Sequence, residues 1–383
     1  MKTEKQETNK KRVVCAMSGG VDSSVAAALL KKQGYDVIGI FMKFWTEENV
    51  AKTDLVRENI CCSVDAATAA RAVAQKLDIP FYVVNFEKEF KKMVVDYYIK
   101  EYENGRTPNP CVICNRDIKG ELLLQKANEL GADYLATGHY ARIVNDNSRI
   151  LNFKFLISKD KNLVYHLYQP KDKVKDQTYF LWTLTQEKLT HILFPCGNYT
   201  KPEIREMAVK WNLPTAQRRE SQGICFIPDR DVSGFLMRYA KKLIKPGEIV
   251  DTKGEVLGHH EGLVNYTIGQ RERLGLGGPK AYYVVKLDSK ENKLIVGDEE
   301  DLYRKELTVE NLNWINTKFK NPNLKFKVGA RIRHGHPIVA CQVETLENNE
   351  TKVIFDKPQR AVTPGQSIVL YDEEEVIGGG IIK

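Results

Sequence analysis

Residues Ser18 to Ser24 read SGGVDSS and follow a short apolar run, RVVCAM. Paired glycines let a backbone turn sharply and come close to a ligand. A helix is predicted directly after them, over SVAAALLKKQG. Its first amide N–H groups and the positive end of its dipole would favour a phosphate. Ser18, Ser23 and Ser24 add hydroxyl donors. A phosphate loop of the GxxxxGK[ST] kind brings a lysine to the terminal phosphates, and this stretch has none. Asp22 adds negative charge instead, which suits a role in holding Mg²⁺ on a polyphosphate. The plainer alternative is a glycine turn in which Asp22 or Ser23 caps the helix.

The second reactive set is sulfur. The chain has 8 cysteines: Cys15, Cys61, Cys62, Cys111, Cys114, Cys196, Cys225 and Cys341. They read as core, catalytic or metal-binding thiols rather than a disulfide framework. Cys15 falls mid-strand and Cys341 in a β run, which suits core positions. Cys225 follows Ser-Gln-Gly, a loop context in which a reactive thiol can be presented.

These residues need a frame. Through roughly the first half of the chain, RVVCAM, DVIGIFM, IPFYVVNF and ADYLATG read as strands. SVAAALLKKQG, DAATAARAVAQKLD, EKEFKKMVVDYYIKEYENG and IKGELLLQKANELG read as helices, with a Pro/Asn/Cys loop between the last two. Such alternation implies a parallel sheet covered on both faces, with ligands at the carboxyl ends of its strands. SGGVDSS lies at one such end. Met42, after the second strand, and Gly138, after a later one, fall at the same edge. From Arg142 to Lys175 the pattern weakens to a hairpin or insertion. TKPEIREMAVKWNLP predicts a helix capped by Thr200, with Pro202 in its first turn. Beyond Glu220 a glycine-rich mixed stretch runs to about Asp288. Short runs such as KLIVGD, KFKVGARIRHG, IVACQVETL, TKVIFD and QSIVLYD then alternate with turns, as in a small barrel.

Bulk properties set limits. The 383 residues are 42% hydrophobic and 28% charged, ordinary for a globular protein. No apolar run approaches the roughly 20 residues that cross a bilayer. The opening MKTEKQETNKKR is polar and of mixed charge, unlike a targeting peptide, and is expected to be an unstructured extension. A cytoplasmic protein is expected. The formal net charge of +8 suits a polyanionic partner without requiring one.

SGGVDS resembles the PP-loop of the ATP pyrophosphatases, which split ATP between its α- and β-phosphates. Five further stretches resemble the bacterial tRNA-specific 2-thiouridylases, the MnmA-like branch. They are TPNPCVICN (Thr107 to Asn115), ATGHYAR (Ala136 to Arg142), KDQTYFLW (Lys175 to Trp182), SQGICFIPD (Ser221 to Asp229) and NYTIGQRERLGLG (Asn265 to Gly277). The resemblance covers nearly the whole chain and is weakest at the N-terminal extension and around Asn145 to Tyr168. It implies an α/β fold with a parallel-sheet (adenine nucleotide α-hydrolase-like) catalytic domain over residues 1–220. A central tRNA-binding domain over 221–288 and a C-terminal β-barrel over 289–383 would follow.

The implied activity is ATP-dependent 2-thiolation of a wobble uridine: adenylation of its C2 oxygen, then sulfur transfer from a cysteine persulfide. The implied cofactors are ATP and Mg²⁺, with no bound prosthetic group required. Ala16, Met17, Ser18, Gly19, Gly20, Val21, Asp22, Ser23, Met42 and Gly138 would meet ATP. Cys225 would carry the persulfide and Cys114 would be the nucleophile, the two ending as a transient disulfide. Asn109, Pro110, Cys111, His139, Lys175, Asp176, Gln177, Arg333, His334 and Gln366 would meet the tRNA. The glycine-rich basic turn of YTIGQRERLGLG would grip its backbone. The implied partners of this monomer are the tRNA anticodon stem-loop and a sulfur-donor protein, such as a cysteine desulfurase or sulfur relay. No membrane is implied.

Two positions depart from the family pattern. Cys111 stands where relatives carry aspartate, and His334 where they carry an aromatic after the arginine. Cys111 also creates a CxxC pair. Cys111, Cys114 and Cys225 leave open an iron–sulfur cluster, and Cys61, Cys62, Cys111 and Cys114 a zinc site. Two other functions stay open. One is a PP-loop amide or amidine synthetase acting on a small metabolite, which would not need the two thiols. The other is an RNA-binding module with a degenerate ATP site.

Overall fold

In the computed structural model, β1 (Arg12–Ala16) has Val13, Val14 and Cys15 fully buried. A strand apolar on both faces needs cover on both. The structure describes residues 10–47, 63–146, 163–220, 223–277, 280–321, 325–345 and 350–383. Cys61, Cys62, Ser221, Gln222 and most of the N-terminal extension lie outside them. The chain packs as two units. Unit one comprises Met1–Lys88, Arg116–Thr178 and Gln186–Pro228; unit two comprises Glu89–Asn115, Tyr179–Thr185 and Asp229–Lys383.

In unit one, β1 is the middle of a parallel sheet with β2 (Asp36–Lys43), β3 (Phe81–Asn85) and β4 (Tyr134–Ala136). The weakly patterned stretch supplies an antiparallel hairpin of β5 (Arg142–Asn145) and β6 (Tyr165–Tyr168). The short β7 (Ile192–Leu193) completes the sheet, in the order β3-β2-β1-β4-β7. Alternate residues of β1 point to opposite faces. Val13 and Cys15 pack with Val25, Leu30, Phe41, Ala70, Val73 and Ile204. Val14 and Ala16 pack with Ile38, Ile40, Leu123 and Leu135.

The helices follow their local signals. Val21–Lys32 leaves β1 and carries the loop, and Val64–Leu77 starts where the Ser63 side chain accepts from Ala66 N. Lys201–Lys210 carries the expected Thr200 cap as a full capping box with Glu203, and Pro202 lies in its first turn. Three expectations are corrected. Met42 lies within β2, not after it. The helix expected after β3 contains a π-helical stretch at Lys91–Val95. The expected Pro/Asn/Cys loop is partly helical: Asn109 Oδ1 accepts from Cys111 N, Pro110 starts a turn ending at Ile113, and a π-helix runs on over Cys114–Leu123. Asn at the cap and Pro at the first position favour a helix start there.

Unit two contains two β structures. β8 (Gly247–Asp251), β9 (Val256–His260), β10 (Tyr283–Asp288) and β11 (Lys293–Gly297) form a sheet in the order β10-β11-β8-β9. β12 (Tyr303–Trp314), β13 (Lys325–Arg331), β14 (Val339–Thr345), β15 (Thr351–Arg360), β16 (Ser367–Asp372) and β17 (Glu375–Ile382) run antiparallel in the order β12-β15-β14-β13-β16-β17. β12 pairs back onto β17 and closes the barrel. Among the described residues no helix is long and apolar enough to cross a membrane.

The barrel holds the chain segments of its own unit. Thr107 N donates to Pro364 O, and Gln366 Nε2 donates to Thr107 O at 2.8 Å. Trp182 Nε1 donates to Ser367 Oγ, and Asn313 Nδ2 donates to the Trp182 and Leu184 carbonyls. This approach uses glycine. A Cβ on Gly379 would lie 2.7 Å from Ile368 O and 2.9 Å from the Trp182 ring. Gly379→Ala is therefore expected to destabilise the protein by ~1–3 kcal/mol through overpacking, read as a lower denaturant midpoint.

Candidate active site

The strand β1 delivers Met17 to the sheet edge, where Met17 N donates to Ile40 O at 2.8 Å. The chain then turns through Ser18 and Gly19 to Gly20, the N-cap of Val21–Lys32. No side chain caps this helix, which corrects the simple cap by Asp22 or Ser23. The serines instead brace the loop. Ser23 Oγ accepts from Ser18 N and donates to Gly20 O at 3.1 Å, and Ser24 Oγ donates to Gly20 O at 2.8 Å. The amides of the first turn are left uncapped by side chains, the arrangement that suits an anion.

Close packing fixes this turn. Gly19 has φ +75°, and a Cβ there would lie 2.3 Å from Ala66 O. Gly138, two residues past β4, lies against the same turn from the other side; its Cβ would meet Ser23 N at 2.8 Å. Ala16, Met17 and Val21 are buried, so they offer a ligand backbone rather than side chains. Half-buried Met42 packs on the cluster around Ile38 and Ile40. Below the loop lie two sealed thiols. Cys15 Sγ points to Ser23 O, and Cys196 Sγ to Asp22 O at 3.4 Å. Burial pushes the Cys15 thiol up to about 12 and raises Cys196 as well, so both stay protonated.

A lysine absent from the loop arrives from elsewhere. Lys201 Nζ lies 2.6 and 2.8 Å from the Asp22 oxygens, and Tyr140 OH donates to Asp22 Oδ1 at 2.8 Å. Lys201 also meets Glu220 Oε1 at 3.0 Å, while Lys175 Nζ meets Glu220 Oε2 at 2.8 Å. Burial acts to raise the Glu220 carboxyl, but hydrogen bonds from Lys175 and Lys201 outweigh it and hold it at about 2. Burial, and then the Asp22 charge, raises the Tyr140 hydroxyl. Lys201, Glu220 and Tyr140 were not singled out in the sequence; only the helix-start signature around Thr200 marked the place.

The KDQ stretch serves this network. Gln177 Oε1 accepts from Tyr140 N at 2.8 Å. The buried Asp176 accepts from Gln169, Thr178 N and Thr178 Oγ1 and braces its own turn. His139 is half-buried with a desolvated ring. Its Nδ1 is 2.7 Å from Thr137 Oγ1 and its Nε2 3.4 Å from Lys119 Nζ. Burial, and then the Lys119 charge, pushes its pKa well down, so it is neutral at neutral pH. Cys225 is half-buried in the turn closed by Ile227 N to Ile224 O, between Gly223 at φ +96° and the buried pair Phe226 and Ile227.

Unit two holds the remaining expected residues. Cys111 and Cys114 lie three apart after the Asn109 cap, with Pro110 and Cys114 buried and Cys111 half-buried. Gln366 braces Thr107 in the lead-in to this turn. Arg333 Nη2 donates to Ala361 O and Thr363 Oγ1, both at 3.1 Å. The His334 ring lies 4.5 Å from that of Phe180, tilted by 33°, a pairing the sequence did not reveal. Among the described residues no group of three or more His, Cys, Asp or Glu side chains forms a metal site. Asp22 has both oxygens engaged by Lys201, so it is not a ready Mg²⁺ ligand as it stands.

A glycine turn and an uncapped helix at the carboxyl end of a central parallel strand define a nucleotide-binding α/β domain. Family profiles agree: one described as "tRNA methyl transferase HUP domain" matches residues 11–229. A "tRNA methyl transferase PRC-barrel domain" matches 233–298 and an "Aminomethyltransferase beta-barrel domain" 304–382. A tRNA-specific 2-thiouridylase MnmA from Acetivibrio thermocellus is 47% identical over 98% of this chain and 100% of its own. Its counterpart from Geobacter metallireducens is 47% identical over 98% of each chain. MnmA 2 of Thermoanaerobacter sp. is 48% identical over 97% of this chain and 98% of its own. The chain belongs to the tRNA-specific 2-thiouridylase family, whose members are tRNA-uridine 2-sulfurtransferases.

Two outcomes follow. Gly138→Ala, which forces a Cβ onto Ser23 N, is expected to weaken binding of a non-hydrolysable ATP analogue by roughly tenfold or more and to destabilise the fold by ~1–3 kcal/mol; calorimetric titration and a denaturant melt read the two. Glu220 has a folded pKa below its unfolded value, so its contribution to stability is complete above about pH 4.5 and is lost as pH falls towards 2. The stability gap between wild type and Glu220→Gln should therefore shrink over that window, as measured by thermal melts at stepped pH.

Proposed function

We propose that this chain is an ATP-dependent tRNA 2-thiouridylase acting on the wobble uridine. The observation that carries the reading is near-full-length likeness to 2-thiouridylases, together with a glycine loop whose helix start is open to an anion. The loop from Ala16 to Ser23, with Gly138 opposite and Met42 nearby, receives ATP. The uridine leaves its stack, as enzymes working on a base require. Its C2 oxygen attacks the α-phosphorus, pyrophosphate departs, and the oxygen becomes an AMP ester.

Sulfur then replaces that oxygen. A sulfur-donor protein loads a persulfide onto Cys225. Its terminal sulfur attacks C2 and AMP leaves, which links the base to Cys225 through an S–S bond. The Cys114 thiolate attacks the Cys225 sulfur, forms a Cys114–Cys225 disulfide and releases 2-thiouridine. A dithiol reductant reopens the disulfide. The step requires the two thiols to converge beside the activated carbon. Asn109, Pro110 and Cys111 meet the base. Lys175, Asp176, Gln177, His139, Arg333, His334 and Gln366 serve the tRNA directly or by holding the residues that touch it. The half-buried turn around Cys225 and the cap before Cys114 support the thiol roles. The protein acts as a monomer, and ATP is used with Mg²⁺.

The test is purified, metal-free protein with ATP, Mg²⁺, unmodified tRNA, a cysteine desulfurase with cysteine as the persulfide source, and a dithiol to reopen the disulfide, with 2-thiouridine read by mass spectrometry. Wild type should form product, whereas Cys114→Ser and Cys225→Ser should reduce it to background while keeping the wild-type melting temperature. Full product from either variant would remove that thiol from the reaction, and no product from wild type would instead favour a small-molecule synthetase.

A further inference from the structure

Lys201 has a side chain only 9% exposed, and it is held by two carboxylates at once. One is Asp22, in the first turn of the helix behind the glycine loop. The other is Glu220, whose second oxygen is bound 2.8 Å from Lys175 Nζ. Arg205 Nη2 stands 3.6 Å from Glu220 Oε1. A single carboxylate therefore bridges a lysine at the nucleotide loop and a lysine of the KDQ stretch.

We propose that Lys201 is a phosphate-binding residue for the nucleoside triphosphate, and that Glu220 is an internal substitute for phosphate, holding Lys201 and Lys175 until anionic ligands replace it. The proposal rests on the ATP- and tRNA-binding reading above. The loop has no lysine of its own, and Lys201 is the buried cation that reaches its helix start. With Glu220 withdrawn, Lys201 keeps Asp22 alone, and Lys175 and Arg205 lose the carboxylate they share with it. That state offers a polyphosphate and an RNA phosphate each a cation that the bridged state keeps occupied. Two ligands that favour the same state of one element strengthen each other's binding, and by the same factor in both directions. A bridge with a merely structural role has no such property.

The test titrates wild type, E220Q and K175M with α,β-methylene ATP and with unmodified tRNA, each alone and in the presence of the other. In wild type each ligand should tighten the other by about 5-fold or more, equally in both directions. E220Q should bind each ligand alone more tightly than wild type, with the mutual factor falling to one. K175M keeps Glu220 on Lys201; it should bind the analogue alone no more tightly than wild type, and its factor should also be one. A wild-type factor of one overturns the proposal, as does a folded E220Q that binds the analogue no better than wild type. If E220Q does not fold, a K175M factor equal to that of wild type overturns it. Formation of 2-thiouridine by wild type is followed in parallel. Coupling without product removes the thiolation reading and leaves the Glu220 assignment standing; product without coupling does the reverse.

Discussion

Two backbones meeting with no room for a side chain between them set the conditions for everything else here. Gly19 lies on the Ala66 carbonyl and Gly138 on the Ser23 amide, so the turn after β1 is held from both sides. Its serine hydroxyls are directed at the Gly20 carbonyl rather than at the helix amides. The start of the helix consequently keeps unsatisfied donors, and the fold holds an electropositive end ready without a ligand.

Charge is then arranged around that end by residues distant in sequence. Lys201 reaches Asp22 across 179 positions, and the chain continues through Glu220 to Lys175. Ion pairs of this kind exchange partners when a stronger anion arrives. Neutral His139 and the raised Tyr140 hydroxyl stand beside the loop as hydrogen-bonding groups rather than as charges.

The sequence made the parallel sheet and the glycine turn legible because both are written locally, in continuous apolar runs and in paired glycines. The Thr200 capping box was legible for the same reason. Lys201 was not: its place depends on its helix packing beside Val21–Lys32, and no local pattern records that. The turn at Asn109 and Pro110 carried a helix-start signal that its prolines and cysteines disguised as a loop. β12 and β17 were missed because one begins with four exposed residues and the other runs through three successive glycines. Those glycines admit Trp314, Trp182 and Val309, which only the closed barrel makes necessary. The tilted contact of His334 with Phe180 likewise joins positions far apart in the chain.

Cys15 and Cys196 have one more implication. Both sulfurs sit in the floor under the turn, sealed and protonated, with their hydrogens directed at main-chain oxygens. A thiol in that condition takes no part in thiol–disulfide exchange, so the two sulfurs beneath the glycine turn are inert bystanders. Depth thus sets these two thiols apart from the half-buried Cys111 and Cys225, although the side chains are chemically identical.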